Sequence, residues 1–398
     1  MPITSELEKS RQVLLELRAA FFTTLFMAGL WQEHATAQRG PLLGHCARRV
    51  SDLLLSRTIL LLWVGIAISF IFGRDIIAQE TRERTVIPIS KTTASKEHES
   101  VDHLTTHDTV RDIVDHRAFK GFSRLILPGD NNAYHDDTPL SNVRSLMPYH
   151  SHVYPDMVVA ALNSMIDEVR GGKKIFFDLY TEQQKQVEPS KKLTGLFFFR
   201  GEPCAPFAIV CPGGGFSCVG SLHEGFPLAL EISKKKFNAF VIRYRIESER
   251  SATEDLAAAI AYIFKNAKAL GVSTEGYALW GGSAGARMVG NIALSGVADY
   301  GGGDLLKPAV VVIAYTGQSS YSKDFPPAFI MVSANDGIAN AAVVDKRVEH
   351  LRNAGVEVDY RRYRTAGHGF GLGTGTDAEG WLGHAVRFWE KHLTKGEK

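Results

Sequence analysis

The pentapeptide Gly281-Gly282-Ser283-Ala284-Gly285 places one hydroxyl between small residues. A serine hydroxyl is a weak nucleophile unless a base takes its proton and its own geometry is fixed. An apolar run precedes this serine and a helix-like pattern follows it, so the sequence predicts a tight turn from a strand into a helix. Such a turn lifts the serine out of the sheet, and only small residues fit beside it. By itself, the pentapeptide fits an ordinary glycine-rich turn equally well.

Two further residues follow in the order that a catalytic triad on such a turn requires, which is Ser, then Asp or Glu, then His. Asp336 follows the strand-like run 328–335, and His368 follows the run 356–367. Because both residues come after strands, we expect them at the same edge of the sheet as Ser283. Asp in Asn-Asp-Gly is often only a turn former, but the three residues together predict a nucleophile, an acid and a base.

A run of three glycines, 213–215, stands directly after another strand-like run. Glycines let backbone N–H groups approach a developing oxyanion closely. We therefore expect an oxyanion hole made by the N–H groups of Gly214, Gly215 and Ala284. The run lacks the Gly-Lys-Ser/Thr ending of a phosphate-binding loop and the spaced glycines of a dinucleotide site, so no cofactor is predicted.

Phe216 and His223 follow the glycines in the sequence and could line a pocket. For Phe216 a position in the core is favoured over this role, and for His223 a position on the surface is favoured.

The elements that must position these residues alternate regularly from residue 173 onward. Continuous apolar strands separated by amphipathic helices predict an α/β fold with a mostly parallel sheet covered by helices on both faces. In such sheets the ligand site lies at the carboxyl ends of the strands. The predicted strands are 173–180, 194–201, 207–216, 238–246, 276–280, 308–317, 328–336 and 356–364, and the predicted helices are 226–235, 253–271, 284–295, 341–355 and 378–393.

From about residue 173 to 395 the chain resembles the α/β-hydrolase superfamily, and within it the acetylxylan and feruloyl esterases and the hormone-sensitive-lipase-like carboxylesterases. The resemblance is carried by CPGGGF, EGFPLALEI, FVIRYRI, WGGSAGARM, SANDGIAN and AGHGFG. It implies acyl transfer through Ser283, Asp336 and His368, with no cofactor. Pro212 stands where many of these proteins have His before the glycines, a pattern we associate with the sugar-esterase branch.

The predicted activity is hydrolysis of a carboxylic ester with a short acyl chain, or of an acetylated carbohydrate. Two alternatives stay open. One is a serine peptidase or amidase on the same fold, since the same triad cleaves both kinds of bond. The other is a non-catalytic, membrane-tethered binding protein, against which the complete set of Ser, Asp, His and glycines argues.

The N-terminal quarter has a different composition. Residues 58–73 form a run of 16 residues without a charge, between Arg57 and Arg74, whereas a spanning helix needs about 20 apolar residues. The run predicts a membrane anchor, or the core of an export signal cleaved after Ala78, or a buried soluble helix. We favour the first two interpretations and expect the chain to be membrane-anchored or exported, with the side of the membrane left open. We divide it into an extension (1–57), the apolar helix (58–73), a linker (74–107) and the catalytic domain (108–398).

Composition excludes two further classes of function. The net charge is +2 and the basic residues are scattered, which argues against a nucleic-acid binder. The four cysteines, at 46, 204, 211 and 218, have neither zinc-ligand spacing nor the density of a disulfide framework. His150 and His152 lack a partner at ligand spacing, so a surface or packing role is favoured and no metal site is predicted.

Overall fold

The computed structural model describes residues 103–129, 136–147 and 149–393. Their strands are β1 Phe176–Phe177, β2 Gly195–Phe199, β3 Pro206–Cys211, β4 Asn238–Arg243, β5 Ser273–Gly282, β6 Val310–Ala314, β7 Ala328–Ser333 and β8 Val358–Tyr363. They form one sheet in the order β1-β2-β4-β3-β5-β6-β7-β8. The pairs β1–β2 and β2–β4 are antiparallel, and the other neighbours are parallel.

Burial of the strands shows how the sheet is covered. Strands β2, β4, β6 and β7 are buried at every residue. Since successive side chains of a strand point to opposite faces, complete burial requires cover on both faces. The mostly parallel, doubly covered sheet predicted from the alternating sequence is therefore confirmed.

The helices begin and end at recognisable signals. The longest starts after Ser248, whose hydroxyl accepts the N–H of Ser251, and ends at Gly271, which has φ 69°. The helices are α1 Val110–Asp115, α2 Ser123–Ile126, α3 Pro155–Arg170, α4 Glu182–Val187, α5 Phe226–Lys234, α6 Glu249–Leu270, α7 Ala284–Ser295, α8 Ala341–Asn353 and α9 Trp381–Leu393. A π-helical turn, Ser221–Gly225, precedes α5.

The closing helix α9 supports the strand that leads to Ser283. The indole N–H of Trp389 donates to the carbonyl oxygen of Gly276 in β5 at 2.7 Å. The same ring stacks on Phe237, with centroids 4.2 Å apart. Trp381 and Phe388 of the same helix are buried as well.

The segment that precedes the sheet packs against it and then reaches its carboxyl edge. Phe122 stacks on Phe176 of β1 with centroids 4.7 Å apart. After Pro148 the chain meets the loop that follows β8, where the Ser151 N–H donates to the carbonyl oxygen of His368 at 3.2 Å. The Tyr154 hydroxyl donates to the carbonyl oxygen of Thr374 at 2.9 Å. This segment therefore belongs to the surroundings of the predicted site.

Several sequence predictions fall outside the described residues. Residues 58–73 and nearly all of the predicted linker are among them, so the anchor or signal function of that run stays a prediction. Within residues 103–129, 136–147 and 149–393, no helix combines the length and the apolar character needed to cross a membrane.

Candidate active site

Ser283 is the single residue between a strand and a helix. β5 ends at Gly282 and α7 begins at Ala284. The serine backbone has φ 50° and ψ −114°, a combination that residues with a Cβ rarely adopt. Such strain persists only where the surroundings hold it, and it concentrates at functional sites. The strand-to-helix turn predicted from the pentapeptide is present.

Two glycines of this turn lie against backbone atoms. A Cβ on Gly281 would lie 2.5 Å from the carbonyl oxygen of Gly285. A Cβ on Gly285 would lie 1.9 Å from the carbonyl oxygen of Cys211 in β3. Backbone atoms cannot swing aside as side chains do, so any larger residue would force β3, β5 and α7 apart. The small residues are therefore a condition for the turn.

The three residues singled out from the sequence lie in one hydrogen-bonded chain. The His368 Nε2 and the Ser283 Oγ are 2.9 Å apart. The His368 Nδ1 lies 2.9 Å from Asp336 Oδ2 and 3.0 Å from Oδ1. The Asp336 side chain is fully buried and that of His368 is 8% exposed. A buried carboxylate on Nδ1 orients the ring so that Nε2 can accept the serine proton.

Asp336 and His368 are held in place by hydrogen bonds within and between their loops. Asp336 Oδ1 also accepts the N–H groups of Ile338 and Ala339, at 2.8 and 2.7 Å. The preceding residue, Asn335, accepts the N–H of Gly367 at 2.9 Å through Oδ1. These bonds tie the loop after β7 to the loop after β8. The orientation of the Asp336 carboxylate is thus set before any substrate binds.

The strand order of the sheet and the three loops at its carboxyl edge identify the fold. The chain has the α/β-hydrolase fold. The serine follows β5, the carboxylate follows β7 and the histidine follows β8, which is the arrangement expected when three distant residues must meet at one edge.

The glycine loop after β3 passes beside the serine of this hydrolase fold. A Cβ on Gly213 would lie 2.9 Å from the Ser283 Cβ. Gly214 and Gly215 have φ of 138° and 63°, so glycine suits both positions. In the described part of the chain, the N–H groups of Gly214, Gly215 and Ala284 donate to no protein acceptor. Ala284 also begins α7, whose N-terminus carries a partial positive charge.

Glu224, a buried carboxylate next to the glycine loop and the serine turn, was not identified from the sequence. Glu224 is 1% exposed. Its Oε2 accepts the N–H of Gly213 at 2.6 Å, and its Oε1 accepts the Tyr315 hydroxyl at 2.9 Å. The Nε2 of His150 lies 3.1 Å from Oε1. Burial alone would raise the pKa of the Glu224 carboxyl, but His150 and the bond from Gly213 lower it to about 2.

The prediction for His223 was wrong. Its side chain is buried, and its Nε2 donates to the carbonyl oxygen of Gly369 at 2.9 Å. Burial, together with the neighbouring His150, lowers the pKa of His223 to about 4, so the ring is neutral near pH 7. The π-helical turn Ser221–Gly225 explains the difference, because it directs His223 and Glu224 inward together.

The remaining groups that could react or bind a metal ion are the thiols and the clusters of ligating side chains in the described residues. Among those residues, no group of three or more His, Cys, Asp or Glu side chains could hold a metal ion. Cys204 is an exposed free thiol, Cys211 is a buried free thiol, and the side chain of Cys218 is buried as well. Burial raises the pKa of the Cys211 thiol, which keeps it protonated.

Comparison with protein families places part of the chain. Residues 200–302 match the model of the BD-FAE family. The match contains the glycine loop, Glu224 and Ser283, whereas Asp336 and His368 lie beyond it. The resemblance to esterases of the α/β-hydrolase superfamily is thereby confirmed for this part of the chain.

Similar proteins of known sequence or structure are named as hydrolases. Endo-1,4-beta-xylanase B of Butyrivibrio fibrisolvens is 33% identical over 92 residues, which cover 22% of this chain and 14% of that protein. The chain thus matches only a small part of the curated relative's length. An acetyl ester-xyloside bifunctional hydrolase from Caldicellulosiruptor lactoaceticus is 17% identical and has a TM-score of 0.47, covering 54% of this chain and 95% of its own. A carboxylesterase from Lactobacillus plantarum is 21% identical and has a TM-score of 0.43, covering 50% and 93%.

Proposed function

We propose that the chain is a serine esterase that hydrolyses a carboxylic ester through an acyl-enzyme. The observation that carries the proposal is the continuous chain of hydrogen bonds from Asp336 through His368 to Ser283, at a strained strand-to-helix turn. A serine needs both a base and a fixed geometry to act as a nucleophile, and this arrangement supplies both.

In the proposed reaction, His368 Nε2 takes the proton of Ser283 as Oγ attacks the ester carbonyl carbon. Asp336 keeps the Nδ1 proton in place and stabilises the imidazolium that forms. The oxyanion accepts hydrogen bonds from the N–H groups of Gly214, Gly215 and Ala284. The alcohol leaves with the proton from His368, and a water molecule activated by the same ring then releases the acid.

The proposed substrate is a small ester with a short acyl chain, or an acetylated carbohydrate. The BD-FAE match and the xylanase relative support this choice. So does Pro212 before the triple glycine, the pattern associated above with sugar esterases. The reaction needs neither a metal nor an organic cofactor.

The proposal is tested by assaying hydrolysis of p-nitrophenyl acetate, butyrate and octanoate, with acetylated xylan alongside. Wild-type protein should prefer the shorter acyl chains. Ser283→Ala should fold normally and lose at least about 10³-fold in kcat, because Ser283 supplies the one hydroxyl that lies within hydrogen-bonding distance of His368 Nε2 in the described part of the chain. A Ser283→Ala variant with near-normal turnover would show that the hydrolysis uses another group.

A further inference from the structure

The Glu224 carboxylate lies directly behind both backbone segments that the proposed reaction uses. A Cβ on Gly282, the residue before the serine, would lie 2.5 Å from Glu224 Oε2. The same oxygen accepts the N–H of Gly213, the residue before the two glycines assigned to the oxyanion hole. The Glu224 side chain therefore lies against both the turn that carries Ser283 and the glycine loop of the proposed oxyanion hole.

The carboxylate is itself held from three directions. Gly213 and Tyr315 donate to it, and His150 lies within hydrogen-bonding distance. An ionised carboxylate can accept all of these bonds, whereas an amide of the same shape would turn an N–H group toward one of the donors. The ring of Tyr315 also lies 5.2 Å from that of His368, centroid to centroid. The network of Glu224 therefore contacts the glycine loop and the turn before Ser283, and through Tyr315 it contacts the ring of His368.

His150 connects this carboxylate to the loop of the catalytic base. The next residue, Ser151, donates through Oγ to the carbonyl oxygens of Ala366 and His368, at 3.1 and 2.8 Å. The side chain of His150 is 2% exposed, and the ring packs against Gly220, where a Cβ would lie 2.6 Å from Nε2. The pre-sheet segment therefore fixes both the base loop and the partner of Glu224.

We propose that Glu224 is a positioning residue for the ester hydrolysis proposed above, and that His150 holds it in place. Glu224 aligns the Gly213 peptide so that the following N–H groups meet the oxyanion while Ser283 Oγ attacks. Misplacement of such donors weakens transition-state binding more than substrate binding. The inference rests on the proposed function, and its effect should appear in kcat rather than in KM.

The test compares Glu224→Gln with Asp255→Asn. Asp255 is a matched control, because it is a fully buried carboxylate that accepts a tyrosine hydroxyl, a backbone N–H and a guanidinium away from the triad. Glu224→Gln should lower kcat by about 10²-fold with KM little changed. Asp255→Asn should lower the melting temperature but keep the kcat of the folded protein. Tyr315→Phe, which removes one donor, should give a smaller loss of kcat than Glu224→Gln.

The pH profile of His150→Ala provides a readout that a purely structural role would not change. The titratable groups that face Glu224 are His150, His223 on its own turn, Tyr315 after β6 and Tyr244 after β4. Burial raises the pKa of both phenols and lowers that of His223, so these three keep one protonation state near pH 7. Without His150, burial dominates and the pKa of Glu224 rises.

Protonation of the base His368 lowers the activity of both proteins as the pH falls, so the readout is the kcat of His150→Ala divided by that of wild type. Because only the ionised carboxylate accepts all its bonds, this ratio should decrease as the pH falls. A variant that is less active by one factor at every pH would contradict the assignment. An active wild type with a fully active Glu224→Gln, or with a change in KM alone, would overturn the positioning role only. A wild type that hydrolyses no ester overturns the proposed function and this role together. If Glu224→Gln does not fold, Tyr315→Phe and His150→Ala decide the matter.

Discussion

Gly285→Ala is the substitution that probes the nucleophile turn most directly. The new Cβ would lie 1.9 Å from the carbonyl oxygen of Cys211 and 2.8 Å from that of Pro212. To reach ordinary van der Waals contact, α7 and β3 must separate by about 1.5 Å. This movement carries Ser283 and Ala284 away from the glycine loop, because Ala284 is the first residue of α7 and Ser283 directly precedes it.

Two opposing effects set the change in stability. Alanine is better than glycine inside a helix by about 1 kcal/mol, whereas overpacking costs about 1–3 kcal/mol, and more where backbone must move. We therefore expect Gly285→Ala to lower the free energy of unfolding by about 2 kcal/mol. A displacement of about 1 Å at the reacting atoms should lower kcat by about 10²-fold.

Gly290→Ala is the matched control on the same helix. Its Cβ would also lie 1.9 Å from an oxygen, but this is the Oε1 at the end of the Gln318 side chain. That oxygen has no partner among the described residues, but the Nε2 of the same amide donates to Asn291 Oδ1 at 2.7 Å. The flexible side chain can therefore shift at the cost of about one hydrogen bond, whereas a backbone carbonyl cannot. Gly290→Ala should keep its activity and a free energy of unfolding within about 1 kcal/mol of wild type.

Urea unfolding and p-nitrophenyl acetate hydrolysis of both variants check this prediction. The crowding argument fails if Gly285→Ala is as stable and as active as Gly290→Ala. It also fails if the two variants lose the same free energy of unfolding and the same activity. That result would show that the backbone contact at Gly285 is no more rigid than the side-chain contact at Gly290.

The remaining predictions concern the acid, the base and the N-terminal run. Asp336→Asn should lower kcat by about 10⁴-fold and His368→Ala by more, measured as ester hydrolysis; Asp324→Asn, at a carboxylate that precedes β7, is the control and should stay active. A silent Asp336→Asn would make that aspartate only a turn residue. A protein lacking residues 1–78 should be recovered in the soluble fraction with full esterase activity, while the full-length protein should fractionate with membranes or be exported, because we expect the run 58–73 to act as an anchor or signal. Full-length protein in the cytosol, or an unfolded truncated protein, would refute this expectation.

The sequence was sufficient for the sheet and for the residues at its carboxyl edge. Continuous apolar runs mark strands that are buried on both faces, and the elbow pentapeptide has a local signature that survives in a single sequence. The expected chain order Ser, Asp, His then pointed to Asp336 and His368, because each of them follows a predicted strand. Each of these inferences used local pattern, and the structure brings Ser283, Asp336 and His368 within hydrogen-bonding distance.

The sequence was not sufficient for Glu224 and His150. Glu224 lies in a turn whose π-helical geometry has no residue signature, and an isolated Glu is ordinarily exposed. His150 was interpreted as a packing or surface residue because it had no partner at ligand spacing. Its partner is distant in the chain and comes close only through tertiary packing.

A triad motif identifies the groups expected to react, but residues outside the motif hold those groups in place. Here the resemblance to known esterases begins near residue 173, yet His150 faces Glu224 and Ser151 binds the backbone of the His368 loop. A fragment that started at the first strand would leave the Glu224 carboxylate buried without that partner, and an unpaired buried charge is costly. If Glu224 has the proposed positioning role, we expect the smallest active fragment to include His150 and Ser151, although no motif marks them.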